Sequence, residues 1–181
     1  MVKRNIILLA ALVVIIVVFV AGAYTPIGVS YAKFLIDMTL RKLENILKSD
    51  FPHMVLGIFL NNAAICLLMF VPVAGAALGL LTIYFTGLVV SAMSIVSNKS
   101  REFILAHIFT SPHTWAEFVA YSLALSENII LTYVIIGKFL LNKKLSLSSE
   151  LKNLAKNIAI SLALLIAGAI IEALMILAQR T

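Results

Sequence analysis

"MVLGIFLNNAAICLLMFVPVAGAALGLLTIYFTGLVVSAMSIVS", residues 54–97, contains no acidic residue, lysine, arginine or histidine. One helix crosses the hydrocarbon core with about 20 residues, and this stretch is roughly twice that length. It therefore reads as two membrane spans. The break belongs at "VPVAG", 71–75, because Pro72 has no N–H for a helical hydrogen bond. The expected elements are a span over 54–71, a tight turn, and a span over 75–97. At about 100° per residue, Gly75, Gly79, Thr82 and Thr86 fall within about 60° on the second of these. A stripe of small residues lets helices approach closely where no hydrophobic force drives association.

Outward from this hairpin the chain stays apolar. Of its 181 residues, 62% are hydrophobic and 12% charged. Soluble domains are about half apolar and a quarter charged, so the composition excludes that class. The length suits one membrane domain over 1–181 rather than two large units. Residues 6–24, "IILLAALVVIIVVFVAGAY", follow Lys3 and Arg4 and reach span length. "AGA" at 21–23 would serve as a cleavage site for a leader, but the length of the run favours an uncleaved anchor. Further spans are expected over 113–137 and 157–178. "FILAHIFTS", 103–111, is too short to cross and reads as a brief interfacial or re-entrant helix. Residues 137–156 read as a polar, lysine-rich connector.

Residues 30–49, "SYAKFLIDMTLRKLENILKS", gather Lys33, Asp37, Arg41, Glu44 and Lys48 on one arc and apolar residues on the rest. This predicts an interfacial amphipathic helix held by opposite charges at i,i+4 spacing. The fold class is thus all-α: a polytopic helical bundle of about five transmembrane helices plus one interfacial helix.

The net charge of +6 does not point to nucleic acid. The basic residues lie in short loops beside apolar runs, where they set topology and meet anionic headgroups of the lipid bilayer. They divide evenly between the two sides. The close grouping of Lys138, Lys143, Lys144, Lys152 and Lys156 favours a cytoplasmic amino terminus in a multi-pass cell-membrane protein. Cys66 is the single cysteine. It cannot form a disulfide within the chain and reads as a small buried apolar residue.

Several polar residues interrupt the later spans. With His113 at 0°, Glu117, Tyr121, Asn128 and Thr132 fall between about 40° and 100° around one helix, and Glu127 near −40°. A second stripe on the last span runs through Asn157, Ser161, Gly168, Glu172 and Gln179. An ionised group in mid-bilayer costs about 2.5–3.5 kcal/mol on insertion scales, so these faces turn from lipid toward protein or water. With five antiparallel spans, Asn61, Asn62, His113, Glu117 and Glu172 all fall in the half of the membrane opposite the amino terminus. They are expected to meet there as a polar cluster, with Tyr121, Glu127 and Asn128 as secondary polar positions.

Three functions fit these positions. The cluster is structural, in a non-enzymatic scaffold or membrane-complex subunit with a protein partner or a homo-oligomer formed through "GAALG", 75–79. Alternatively, Glu117, Glu127 and Glu172 conduct protons or a solute, although no inverted repeat supports a transporter. As a third reading, His113 and Glu117 serve an intramembrane hydrolase. Their i,i+4 spacing, with His107 near, resembles half of a metal site, but "HTWAE" is not the arrangement that supplies two histidines and a base. No metal, cofactor or catalytic residue is assigned.

Four motifs occur in a recognisable order: "FLNNAAICLLMF" at 59–70, "YFTGLVVSAM" at 84–93, "PHTWAE" at 112–117 and "AGAIIEALM" at 167–175. Together they resemble the stage II sporulation protein M family of bacterial and archaeal membrane proteins, over about residues 53–178. The family favours Tyr-Asn-Gly where this chain has Phe85, Thr86 and Gly87, and Pro-His-Gly where it has Pro112, His113 and Thr114. The resemblance implies that Asn61 or Asn62, His113, Glu117 and Glu172 are signature positions. It further implies a multi-span protein working through partners, with no defined chemistry.

Overall fold

The computed structural model describes residues 4–141 and 146–180. Among these, seven helices and no strand occur. They are α1 (Arg4–Tyr24), α2 (Val29–Lys48), α3 (Phe51–Met69), α4 (Ala74–Ser97), α5 (Arg101–Thr110), α6 (Pro112–Phe139) and α7 (Leu147–Ala178). Helices α1, α3, α4, α6 and α7 are long and apolar enough to cross a membrane. Large side chains such as Leu9, Val13, Leu60, Leu78 and Leu174 project outward from them, as lipid-facing surfaces require. Helix α6 is the most enclosed span. Its most extensive contact is with α7, and α1 packs mainly on α4.

The α1–α4 crossing is a backbone contact. A Cβ placed on Gly22 would lie 2.2 Å from the Tyr84 carbonyl oxygen, and one on Gly87 would lie 2.1 Å from the Phe19 carbonyl oxygen. The small residues of "AGA" thus let α4 sit directly against α1. The "GAALG" stripe is divided differently. Gly75 and Gly79 are covered from within the chain, by Leu68 and Met69 respectively, so that part of the stripe is not a surface for a second copy. Thr82 and Thr86 donate hydrogen bonds to their own helix, to Leu78 O (2.9 Å) and Thr82 O (3.0 Å).

The α3–α4 turn is strained and buttressed. Val73 has φ 68° and ψ −72°, and the Ala74 N–H donates to Pro72 O at 2.9 Å. This is the γ-turn hand that β-branched residues avoid. Side chains of α6 hold it: Asn128 Nδ2 donates to Met69 O (2.9 Å) and to Val71 O, and the Val73 N–H donates to Thr132 Oγ1 (2.9 Å).

Helix α2 packs across α4 and α3 and buries Ala32. Ile46 covers Gly57 of α3. Its Tyr31, Phe34 and Met38 form an exposed apolar strip, while Arg41–Asp37 (2.9 Å) and Lys48–Glu44 (2.5 Å) pair on the polar side. Helix α5 is a ten-residue element. Its Phe109 packs with Phe19, Trp115 and Phe118, and the Trp115 indole N–H donates to Phe109 O at 2.8 Å. The Glu102 carboxyl is held below its usual range by its own backbone N–H and by the Tyr24 hydroxyl at 2.9 Å, which ties α5 to the end of α1.

One boundary departs from the sequence reading. Residues 147–156 are not connector but the first three turns of α7. Leu147, Leu151, Leu154 and Ile158 recur at helical spacing, and Leu154 and Ile158 pack on the core, which offsets the polar composition. Residues 142–145, with Lys143 and Lys144, lie outside the described residues.

Candidate functional site

Two polar sites lie inside the bundle, in opposite halves. The first is in the half away from the amino terminus, where α3 and α6 begin and α7 ends. Asn61 and Asn62 on α3, His113 and Glu117 on α6, and Glu172 on α7 line one cleft of about 250 Å³ with Leu43, Ile58 and Thr86. The cleft is open at its mouth, and Leu43 brings α2 to its edge. Asn62 Nδ2 donates to Glu117 Oε1 at 2.7 Å, and Asn61 Nδ2 donates to Asn62 Oδ1 at 3.2 Å. His113 Nδ1 is buried without a hydrogen-bond partner. Helix geometry makes this cluster possible. Glu117 lies one turn after His113, and each faces the cleft because Phe118 and Thr114 on the adjoining face are buried in packing.

The second site surrounds Glu127, which is 1% exposed. Arg4 at the start of α1 forms ion pairs with both Glu127 and Glu150. Asn157 Nδ2 donates to Glu127 Oε1 at 2.7 Å, while Glu127 Oε2 is buried and unpartnered. Arg4 is therefore more than a topology-setting charge. It is the counter-ion of a buried acid, in keeping with the rule that intramembrane charges pair. The role of Arg4 and Glu150 was not legible from composition, since Glu150 sat in the presumed connector. Helical rise carried a usable signal: Glu127 lies about 23 Å along α6 from Pro112 at about 1.5 Å per residue, which returns it to the side where Arg4 begins α1.

The secondary polar residues separate accordingly. Glu127 belongs to the Arg4 site, Asn128 to the α3–α4 turn, and Tyr121 is buried one turn below Glu117. Thr86, read from sequence as a packing residue, lines the first cleft. Between the two sites lies a closed layer. Cys66, Ala120, Ala124 and Leu165 are each 0% exposed. Cys66 Sγ (3.7 Å) and Ser161 Oγ (3.2 Å) both donate to the Ala120 carbonyl. Among the described residues no group of three histidine, cysteine or acidic side chains is disposed to hold a metal ion.

Five apolar helices with paired charges and amides turned inward define a multi-pass helical membrane protein. The chain belongs to the stage II sporulation protein M family, whose model matches residues 6–175. The match begins within α1, so it takes in the first span and α2 as well as the motifs from residue 59 onward. No curated protein and no solved structure gives a significant match.

Proposed function

We propose that this protein is a non-enzymatic scaffold or subunit of a cell-membrane complex, with its amino terminus on the cytoplasmic side. One observation carries the reading: most of the hydrogen bonds and ion pairs that polar side chains make inside the bundle join one helix to another. Asn62–Glu117 ties α3 to α6, Arg4–Glu127 with Asn157 ties α1, α6 and α7, and Asn128 ties α6 to the α3–α4 turn. Such bonds fix relative helix positions in a bilayer, where apolar burial supplies little preference between partners.

The closed layer at Cys66, Ala120, Ala124 and Leu165 weighs against a proton or solute path from the Glu117 cleft to Glu127. The test is gentle extraction from the native membrane after crosslinking, with mass spectrometry of what co-purifies. A stoichiometric protein partner is expected. Extraction without partner, together with solute or proton flux in proteoliposomes that Glu117→Gln abolishes, would replace this reading with transport.

A further inference from the structure

The bundle treats its two intramembrane acid sites differently. Near the amino terminus, Glu127 is met by Arg4 and by the amide of Asn157. In the other half, Glu117 and Glu172 face one cleft that no lysine or arginine lines among the described residues. Glu117 has only the Asn62 amide, and no side chain of the described chain donates to Glu172. Charged groups within a span normally pair. Here the described residues bring no lysine or arginine to the cleft, and its one histidine, His113, makes no ion pair or hydrogen bond with either acid and keeps its buried Nδ1 unpartnered, which leaves room for a cation.

We propose that the Glu117–Glu172 cleft receives a basic side chain, lysine by preference, from a transmembrane helix of a partner protein. The inference rests on the complex-subunit reading and names how the partner docks. The lining selects the class of ligand. Two carboxylates and the Asn61 and Asn62 amides accept hydrogen bonds from an ammonium, and Leu43 and Ile58 flank the apolar stem that carries it. A volume of about 250 Å³ admits one such side chain.

A zwitterionic headgroup fits poorly, because its phosphate would enter beside two carboxylates with no cation to receive it. A divalent ion fits less well: His113, Glu117 and Glu172 share the cleft, but no three histidine, cysteine or acidic side chains among the described residues are disposed to hold a metal ion. Depth narrows the partner further. Glu117 lies about 8 Å along α6 from Pro112, and Glu172 about 9 Å along α7 from Ala178, at about 1.5 Å per residue. The partner's lysine therefore belongs between one and two turns inside the end of its span.

The test uses the full chain in phosphatidylcholine bilayers with a synthetic leucine–alanine transmembrane peptide. The peptide bears one lysine at that depth, or glutamine in its place, and association is read by energy transfer. The lysine peptide is expected to bind at least about tenfold more tightly than the glutamine peptide. Glu117→Gln and Glu172→Gln should each erase that advantage. So should Thr86→Leu, which blocks the cleft from an exposed position and leaves both acids intact, keeping the test valid where an acid variant fails to fold. Equal binding of the two peptides, or a preference that survives all three variants, overturns the proposal. So does loss of the preference when phosphatidylethanolamine replaces phosphatidylcholine, which would make a lipid amine the occupant. Self-association that is lost in Glu172→Gln would make a second copy the occupant and likewise overturn it. A native partner that co-purifies but docks without a basic side chain would leave the scaffold reading standing and remove only this inference.

Discussion

Placing alanine at Gly22 should cost stability out of proportion to a single methyl group. The added Cβ would lie 2.2 Å from the Tyr84 carbonyl oxygen, with the Gly87 Cα and Leu88 N each at 3.1 Å. All three are backbone atoms of α4, so no side chain can turn aside. An ordinary contact requires α1 and α4 to separate by about 1 Å. A gap of that size forfeits a quarter to a half of each dispersion contact along the crossing, and overpacking of this kind costs about 1–3 kcal/mol. The value here belongs at the upper end because the obstacle is rigid.

Gly87→Ala meets the same crossing from the other side, 2.1 Å from the Phe19 carbonyl oxygen, and should cost a similar amount. The double variant should cost little more than either single one, because one separation accommodates both methyl groups. Gly168→Ala is the internal control. Its Cβ would lie 3.5 Å from Ala116 Cβ, an ordinary contact, so alanine should be neutral or stabilising by up to about 1 kcal/mol through helix propensity. Thermal unfolding in micelles, followed by Trp115 fluorescence, orders the four proteins. Equal midpoints for Gly22→Ala and Gly168→Ala would refute the backbone-contact reasoning, as would full additivity in the double variant.

Three further outcomes follow from the polar contacts and the turn. Arg4→Ala leaves Glu127 buried without its cation and should destabilise by about 2–3 kcal/mol, below the ~3–5 kcal/mol of a fully buried pair because Arg4 keeps 37% of its side-chain surface exposed. Adding Glu127→Leu should restore most of the loss, and a double variant weaker than Arg4→Ala would contradict the pairing. Val73→Gly should stabilise by about 1 kcal/mol by relieving the positive φ, whereas Asn128→Leu should destabilise by removing the side-chain donor to the Met69 carbonyl and leaving the Val71 carbonyl with the Gly75 N–H alone; chemical denaturation in mixed micelles gives both signs. Asp50 caps α3 and contacts His53 Nδ1 at 2.5 Å, and that bond holds its carboxyl below the ordinary 3.8. A depressed folded value means its contribution is complete above about pH 4 and is lost as pH falls through the lower value. An acid limb of stability that is unchanged in Asp50→Asn would show that the cap plays no part.

Residue order and helical period were enough to read the spans and to place the polar residues by height. Charge-free runs of span length have one solution in a bilayer, because every backbone polar group must be satisfied within its own helix. Alternating span direction then assigns Asn61, Asn62, His113, Glu117 and Glu172 to one half of the membrane, and those five do line one cleft. Helical period also turns polar residues away from lipid, so the inward faces of α6 and α7 were legible from residue numbers alone.

Which groups in each half are partners became visible once the helices were packed together. Period and direction fix a residue's height and angle on its own helix and carry no information about which helix stands beside it. Arg4 meeting Glu127 and Glu150, Asn128 serving the turn at Val73, and Thr86 facing the cleft all depend on the lateral order of the helices. So does the use of Gly22 and Gly87. Each is one small residue in an apolar run, and it becomes a crossing point only because the two backbones meet there. That lateral order is set by close packing between apolar faces, a property of surfaces in contact, which no single helix displays.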